Sequence, residues 1–261
     1  MAARRDLPGD PGLVPSPRSS PRGPFVGTPH PARAPRRWAR DPALERLLRE
    51  LHRGFGWQCW WPAATPFEVI VGAILTQNTA WTNVEKALTN LRALHALSPA
   101  RLLELEDAAL LTALRPSGYF NAKARKLREV SSWYLEVGGL RALRERQLNP
   151  LREELLGVWG VGPETADSIL CYAAGRRTAV VDAYTRRVLS RHELADANAP
   201  YEELRSWLGE RLCDSQFVFE EFHALFVRAG YDNCKPSASC ATCPAATELA
   251  LHRRDISSNT P

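Results

Sequence analysis

The chain has 261 residues, is 44% hydrophobic and holds eight tryptophans, enough to bury one large core or two small ones. It contains no run of about 18 apolar residues and no apolar signal core near its N-terminus, so neither a membrane helix nor secretion is supported and the cytoplasm is the expected place, nucleoid-associated in a bacterium. A net charge of +5 and a pI near 9.0 suit a polyanion partner. However, residues 1–40 carry eight arginines and two aspartates, which leaves 26 basic against 27 acidic side chains in 41–261, so any grip on a polyanion must come from local patches or from the tail.

Residues 1–40 are rich in Pro, Arg, Ser and Gly without a helical or strand period, the composition of a disordered basic tail. Asp41-Pro42 reads as an N-cap followed by proline at the first helical position, opening an amphipathic helix over 43–53 that Gly54 and Gly56 end. Trp57, Trp60 and Trp61, with Pro62, crowd the loop that follows, where tryptophans commonly fill a gap between packed units. From Pro66 the apolar residues Phe67, Ile70, Val71, Ile74 and Leu75 keep the i, i+3, i+4, i+7 stripe of a core helix. The stripe resumes at Trp81, Val84, Leu88 and Leu91, which leaves Gln77 at a helix junction. Two short leucine-rich helices occupy 99–114 and Pro116-Ser117-Gly118 makes a turn. Another helix then starts near Tyr119 with Lys123, Arg125, Lys126 and Arg128 in its first turns, a charge run that on its own marks a solvated face.

The most informative stretch is 151–191. Short helices flank Val158-Trp159-Gly160-Val161-Gly162, with Pro163 at a helix start and Gly175 at a helix stop. Gly160 and Gly162 can take positive φ and, lacking side chains, let the hairpin amides and the next helix N-terminus approach a phosphate. Val180-Val181 then delivers Asp182 to the start of the segment 183–191, near that grip. Taken singly, such glycines serve a turn and such an aspartate caps a helix. Beyond it, 201–212 and 217–229 are helical in period, and no stretch reads as a strand pair, so the chain is expected to be all-α.

As a whole, Gly160-Val161-Gly162 with Thr165-Ala166 and Val181-Asp182 resembles the helix-hairpin-helix signature of the endonuclease III superfamily of DNA glycosylases. The likeness runs from about Trp60 to Cys243. It implies a two-domain all-α fold: a six-helix barrel domain over 61–176, and a helical domain made of 41–60 with 177–261 that ends in a cysteine loop. It implies a monomer acting on double-stranded DNA with a damaged base, Asp182 as the catalytic carboxylate, and Gly160, Gly162, Gln77, Tyr119 and Lys123 on DNA. By the same likeness Gln77 enters the base stack and Tyr119 wedges into the gap left by the extruded nucleotide. Where strand-cleaving members carry a lysine, this chain has Glu164, and a carboxylate cannot form an imine. Together with Trp60-Trp61-Pro62 and the segment Leu75 to Thr79, that change resembles the 3-methyladenine DNA glycosylase branch, which implies a base pocket of Trp61, Pro62, Trp81 and Glu164. The expected function is monofunctional removal of an alkylated purine in base excision repair. The alternatives are an endonuclease III-like glycosylase with lyase activity on oxidised pyrimidines, and a non-catalytic helix-hairpin-helix module.

Cys234, Cys240 and Cys243 lie close together after a helix. They resemble the superfamily's iron–sulfur loop, C-x6-C-x2-C-x5-C, but the spacing here is C-x5-C-x2-C with Leu249 at the fourth place. A [4Fe-4S] cluster with an incomplete ligand set, zinc, and no metal all stay open, with Cys213 and His252 as other donors. Cys59 and Cys171 are isolated and read as buried thiols.

Overall fold

The computed structural model describes residues 34–58, 60–235 and 237–246; the tail to residue 33, Cys59, Leu249 and His252 lie outside the described residues. The described residues are helical, with one isolated bridge between Ala39 and Leu212. Asp41 caps the first helix, α1 (Pro42–Phe55), by accepting from the amides of Ala43 at 3.0 Å and Leu44 at 2.9 Å. Such a cap is worth about 1 kcal/mol. Leu44, Leu47, Leu48 and Leu51 turn inward, and α1 packs on α12 (Gln216–Asp232).

Part of the stretch read as a disordered tail is packed on the fold. Trp38 is completely buried, with ring centroids 5.0 Å from His52 and 6.3 Å from Phe217, and the Ala39 and Trp38 amides donate to the Glu45 carboxylate. A single tryptophan in a proline- and arginine-rich stretch has no period, yet an indole alone buries enough apolar surface to anchor the chain.

The helix α2 (Pro66–Leu75) is enclosed on all sides, so the amphipathic stripe read from its sequence understates its burial. Even Glu68 is buried, where it accepts from the Ala64 amide at 3.1 Å and pairs with Arg92. Around α2 stand α3 (Trp81–Ala93), α6 (Phe120–Glu136) and a π-helical turn, Ile169–Ala173, while α4 (Pro99–Glu104) and α5 (Asp107–Leu114) pack against α6. A helix not anticipated in the sequence, α7 (Gly139–Glu145), begins at two glycines with φ of 96° and 65°.

The hairpin joins α8 (Leu148–Leu156) to α9 (Pro163–Ser168), which runs on into the π-helical turn. These segments are pinned from below by Asp167, which is fully buried. Arg152 of α8 donates two hydrogen bonds to it, at 2.9 and 2.8 Å, and the hydroxyls of Thr178 and of Tyr201 reach it at 2.7 and 3.0 Å. Tyr201 opens α11 (Tyr201–Arg211), and α10 (Ala183–Arg191) packs along α12.

Candidate active site

A cavity of about 690 Å³ opens between the hairpin, the start of α10 and the Trp60-Trp61 loop. Its wall includes Gly160, Gly162, Glu164, Asp182, Gln77 and His223. Asp182 caps α10, its Oδ1 accepting from the Thr185 amide at 2.6 Å, and its Oδ2 lies 3.5 Å from His223 Nε2. Burial alone would push this carboxyl upward. The neighbouring His223, with Nε2 3.5 Å from Oδ2, followed by the Thr185 amide, more than offsets that, and Asp182 falls below the ordinary aspartate range.

Glu164 behaves in the opposite way. The residue is exposed at the cavity mouth, yet its carboxyl is crowded by surrounding atoms. That desolvation, then the negative charge of Asp182, with Arg186 opposing both, pushes it up to about 8. The open mouth tempers the rise but not its direction. Two carboxyls on one wall are thus separated in acidity, Asp182 shifted down and Glu164 shifted up.

The two hairpin glycines differ in backbone conformation. Gly160 has φ of 85° and needs its freedom, whereas Gly162 is extended at −93°. A side chain at Gly162 would meet nothing within 4 Å, so the missing Cβ leaves open surface beside the α9 N-terminus. Gln77 ties the α2 end to the hairpin, its Nε2 donating to Gly160 O at 3.1 Å and Thr165 Oγ1 at 3.0 Å, while Lys126 donates to its Oε1. One residue before Gly160, Trp159 is 43% exposed, with the Arg125 guanidinium 3.9 Å from its ring centroid.

Three expected site residues are placed otherwise. Lys123 is buried, its ammonium donating to Leu75 O at 3.0 Å and Ser117 O at 2.6 Å, so it closes the end of α2 and presents no charge to solvent. Burial, then the nearby Lys126, lowers it to about 8. Its place facing the hairpin is taken by Lys126, three residues on and nearly one helical turn away. Trp81 does not reach the cavity: it lies 5.7 Å from both Trp60 and Trp61, behind the two indoles that line the wall. Pro62 is also outside the wall. Trp61 does line the cavity, and Tyr119 stands 74% exposed in a left-handed turn ahead of α6, away from the cavity wall.

Sequence reasoning missed His223, Tyr172 and Trp60. The signal for His223 was a single polar side chain inside the apolar run Phe222 to Val227, a buried polar group that requires a partner.

Cys234, Cys240 and Cys243 line a second cavity of about 320 Å³, where Arg191 donates to Cys234 Sγ at 3.1 Å. Cys213 is not in that wall; its amide donates to Trp38 O at 2.9 Å. Among the described residues no group of three His, Cys, Asp or Glu side chains is gathered closely enough to hold a metal ion. The three thiols therefore share a wall without forming a complete ligand set. No helix of the described residues is long and apolar enough to cross a membrane.

Comparison with known proteins agrees with this architecture. A Methanocaldococcus jannaschii protein named as a candidate DNA repair glycosylase is 42% identical over 204 residues, covering 77% of this chain and 93% of its own. Endonuclease III of Thermotoga maritima is 26% identical, over 81% of this chain and 94% of its own. The crystal structure of H. pylori 3-methyladenine DNA glycosylase bound to 1,N6-ethenoadenine superposes with a TM-score of 0.61 at 28% identity, over 72% of this chain and 96% of that one. Residues 71–212 match the model of the HhH-GPD superfamily base excision DNA repair proteins, and the chain belongs to that superfamily.

Proposed function

We propose that the protein is a monofunctional DNA glycosylase that removes alkylated purines from double-stranded DNA. The observation that carries this reading is Asp182, an ionised carboxylate on the wall of a cavity lined by two tryptophans and the hairpin. An extruded base would enter the cavity against Trp60 and Trp61, whose faces attract a cationic base more than a neutral one. The N-glycosidic bond breaks with its electron pair leaving on the base. Positive charge then develops on the sugar, where Asp182 stabilises it, and water adds to C1′ while giving up a proton. A base that is already cationic leaves as a neutral molecule; protonated Glu164 is placed to donate to one that is not. Gly160, Gly162 and Lys126 would hold the phosphates, with Tyr119 as the wedge. The H. pylori relative, named for 3-methyladenine, supports the alkylpurine reading. In this reading the barrel spans 61–176, and 41–60 with 177–261 form the second domain of a monomer.

Glu164 cannot form an imine, but Lys126 also lines the cavity, so a lyase using that amine is the second reading. The test is purified protein on methylated duplex DNA, with and without alkali. We expect strand breaks only after alkali, no trapping on abasic DNA by borohydride, and excision lowered on the order of 100-fold or more by Asp182→Asn with abasic-DNA binding kept. Efficient trapping would establish the lyase, and an unfolded Asp182→Asn would make this aspartate a cap alone. For the cysteine loop we propose a structural iron–sulfur cluster completed by a ligand other than Leu249. Brown protein that loses its visible absorption on Cys240→Ser supports it, and colourless protein overturns it.

A further inference from the structure

We propose that His223 is a positioning residue that holds Asp182 as a carboxylate facing the cavity, through an Nε2 proton directed at Oδ2, with Tyr172 fixing the imidazole from behind. The inference rests on the reading of Asp182 as the reacting carboxylate. It starts from a count of protons. The single hydroxyl proton of Tyr172 has two neighbours, Glu220 O at 3.0 Å and His223 Nδ1 at 2.7 Å. If the proton goes to Nδ1, that nitrogen is an acceptor and a neutral ring carries its hydrogen on Nε2. If it goes to Glu220 O, Nδ1 must donate to the phenol oxygen, and a neutral ring would then set the Nε2 lone pair against Asp182 Oδ2 at 3.5 Å. A protonated Asp182 donating to Nε2 or the imidazolium relieves that contact, and the lowered pKa of Asp182 disfavours the first. Both acceptable arrangements place a proton on Nε2.

Nε2 is buried and has no hydrogen-bond partner within ordinary limits, so the Asp182 carboxylate is what it faces. Asp182 and His223 are 7% and 5% exposed, so water does little to screen the pair. Several charged or titratable groups surround them. Glu164 on α9 feels the charges of Asp182 and of Arg186 on α10, Glu220 and Glu221 on α12 face Tyr172 from the other side, and Lys126 on α6 and Tyr201 complete the wall. Against burial, the Thr185 amide at 2.6 Å from Oδ1 and the proton on Nε2, 3.5 Å from Oδ2, together keep Asp182 ionised, in line with its lowered pKa.

The test compares His223→Leu, which removes the donor, with His223→Gln, whose amide N–H restores one, and with Tyr172→Phe, which frees the ring. Single-turnover excision of a methylated purine is followed against pH. In His223→Leu the acidic limb should move toward neutral by about one unit, so that the rate below the limb falls on the order of tenfold; Gln should recover most of it, and Tyr172→Phe should shift it less in the same direction. Carbon NMR of the Asp182 carboxyl, assigned with Asp182→Asn, should show the same displacement without any substrate. An unmoved carboxyl titration in folded His223→Leu overturns the proposal, and if Leu does not fold, an unmoved titration in Tyr172→Phe does so. If no methylated DNA is cleaved but the carboxyl titration moves, the substrate reading fails while the His223–Asp182 coupling stands.

Discussion

Asp167 and Asp182 are both buried aspartates beside the hairpin, fifteen residues apart, and they are used in opposite ways. Asp167 is saturated: a two-point Arg152 contact and the hydroxyls of Thr178 and Tyr201 occupy its oxygens. Asp182 has one close donor, the Thr185 amide, a more distant histidine, and a cavity on its remaining side. Burial is the same for both; unfilled hydrogen-bonding capacity next to empty volume distinguishes them. A buried carboxylate with every lone pair used holds a structure together, whereas one kept charged with a lone pair to spare is available for chemistry.

The comparison breaks most readily at Asp167. Asp167→Ala leaves Arg152 buried without its principal partner and should destabilise the protein by about 3–5 kcal/mol in urea denaturation. Asp182→Asn should change stability far less while abolishing excision. If the two variants lose stability equally, the contrast between a staple and a reacting group is void.

A smaller effect separates the two tryptophan layers. Trp60→Ala should lower excision of a methylated purine about tenfold, since stacking is worth ~1–3 kcal/mol, with little change in abasic-DNA binding. Trp81→Phe, behind the wall, should change stability more than it changes lesion preference. Losses that are equal on lesion and abasic DNA would merge the two layers into one core.

The smallest expected effect concerns the two lysines. Lys126→Ala should reduce the salt dependence of DNA binding by about one counterion, read as the slope of affinity against salt concentration. Lys123→Met should leave that slope unchanged and lower the melting temperature, because its ammonium closes helix carbonyls.

These contrasts mark where the sequence was legible. The helices with strong stripes and caps, α1 and α3 among them, follow from local pattern, and the motif around Gly160 and Asp182 stands out because its residues are close along the chain. Lys123 and Lys126 looked interchangeable, since a charge run does not reveal which side of α6 faces α2. Trp81 and Trp60 were indistinguishable for the same reason: both are buried, and only the tertiary arrangement decides which is in front. His223 comes to Asp182 across forty-one residues, so no local period could pair them. Trp38 was hidden by its neighbours' composition, and α7 is a short helix that starts at two glycines.

The lone indole beside the hairpin has a practical use. Among the described tryptophans Trp159 is the most exposed, Trp57 and Trp207 are half-buried, and Trp38, Trp60, Trp61, Trp81 and Trp133 are buried. Red-edge emission and collisional quenching by acrylamide should therefore report chiefly on the strip next to Gly160. A ligand seated on the hairpin would shield that emission, whereas one confined to the cavity would act on the blue-shifted emission of Trp60 and Trp61. The protein thus carries an intrinsic optical probe that can time the docking of a duplex separately from entry of a base.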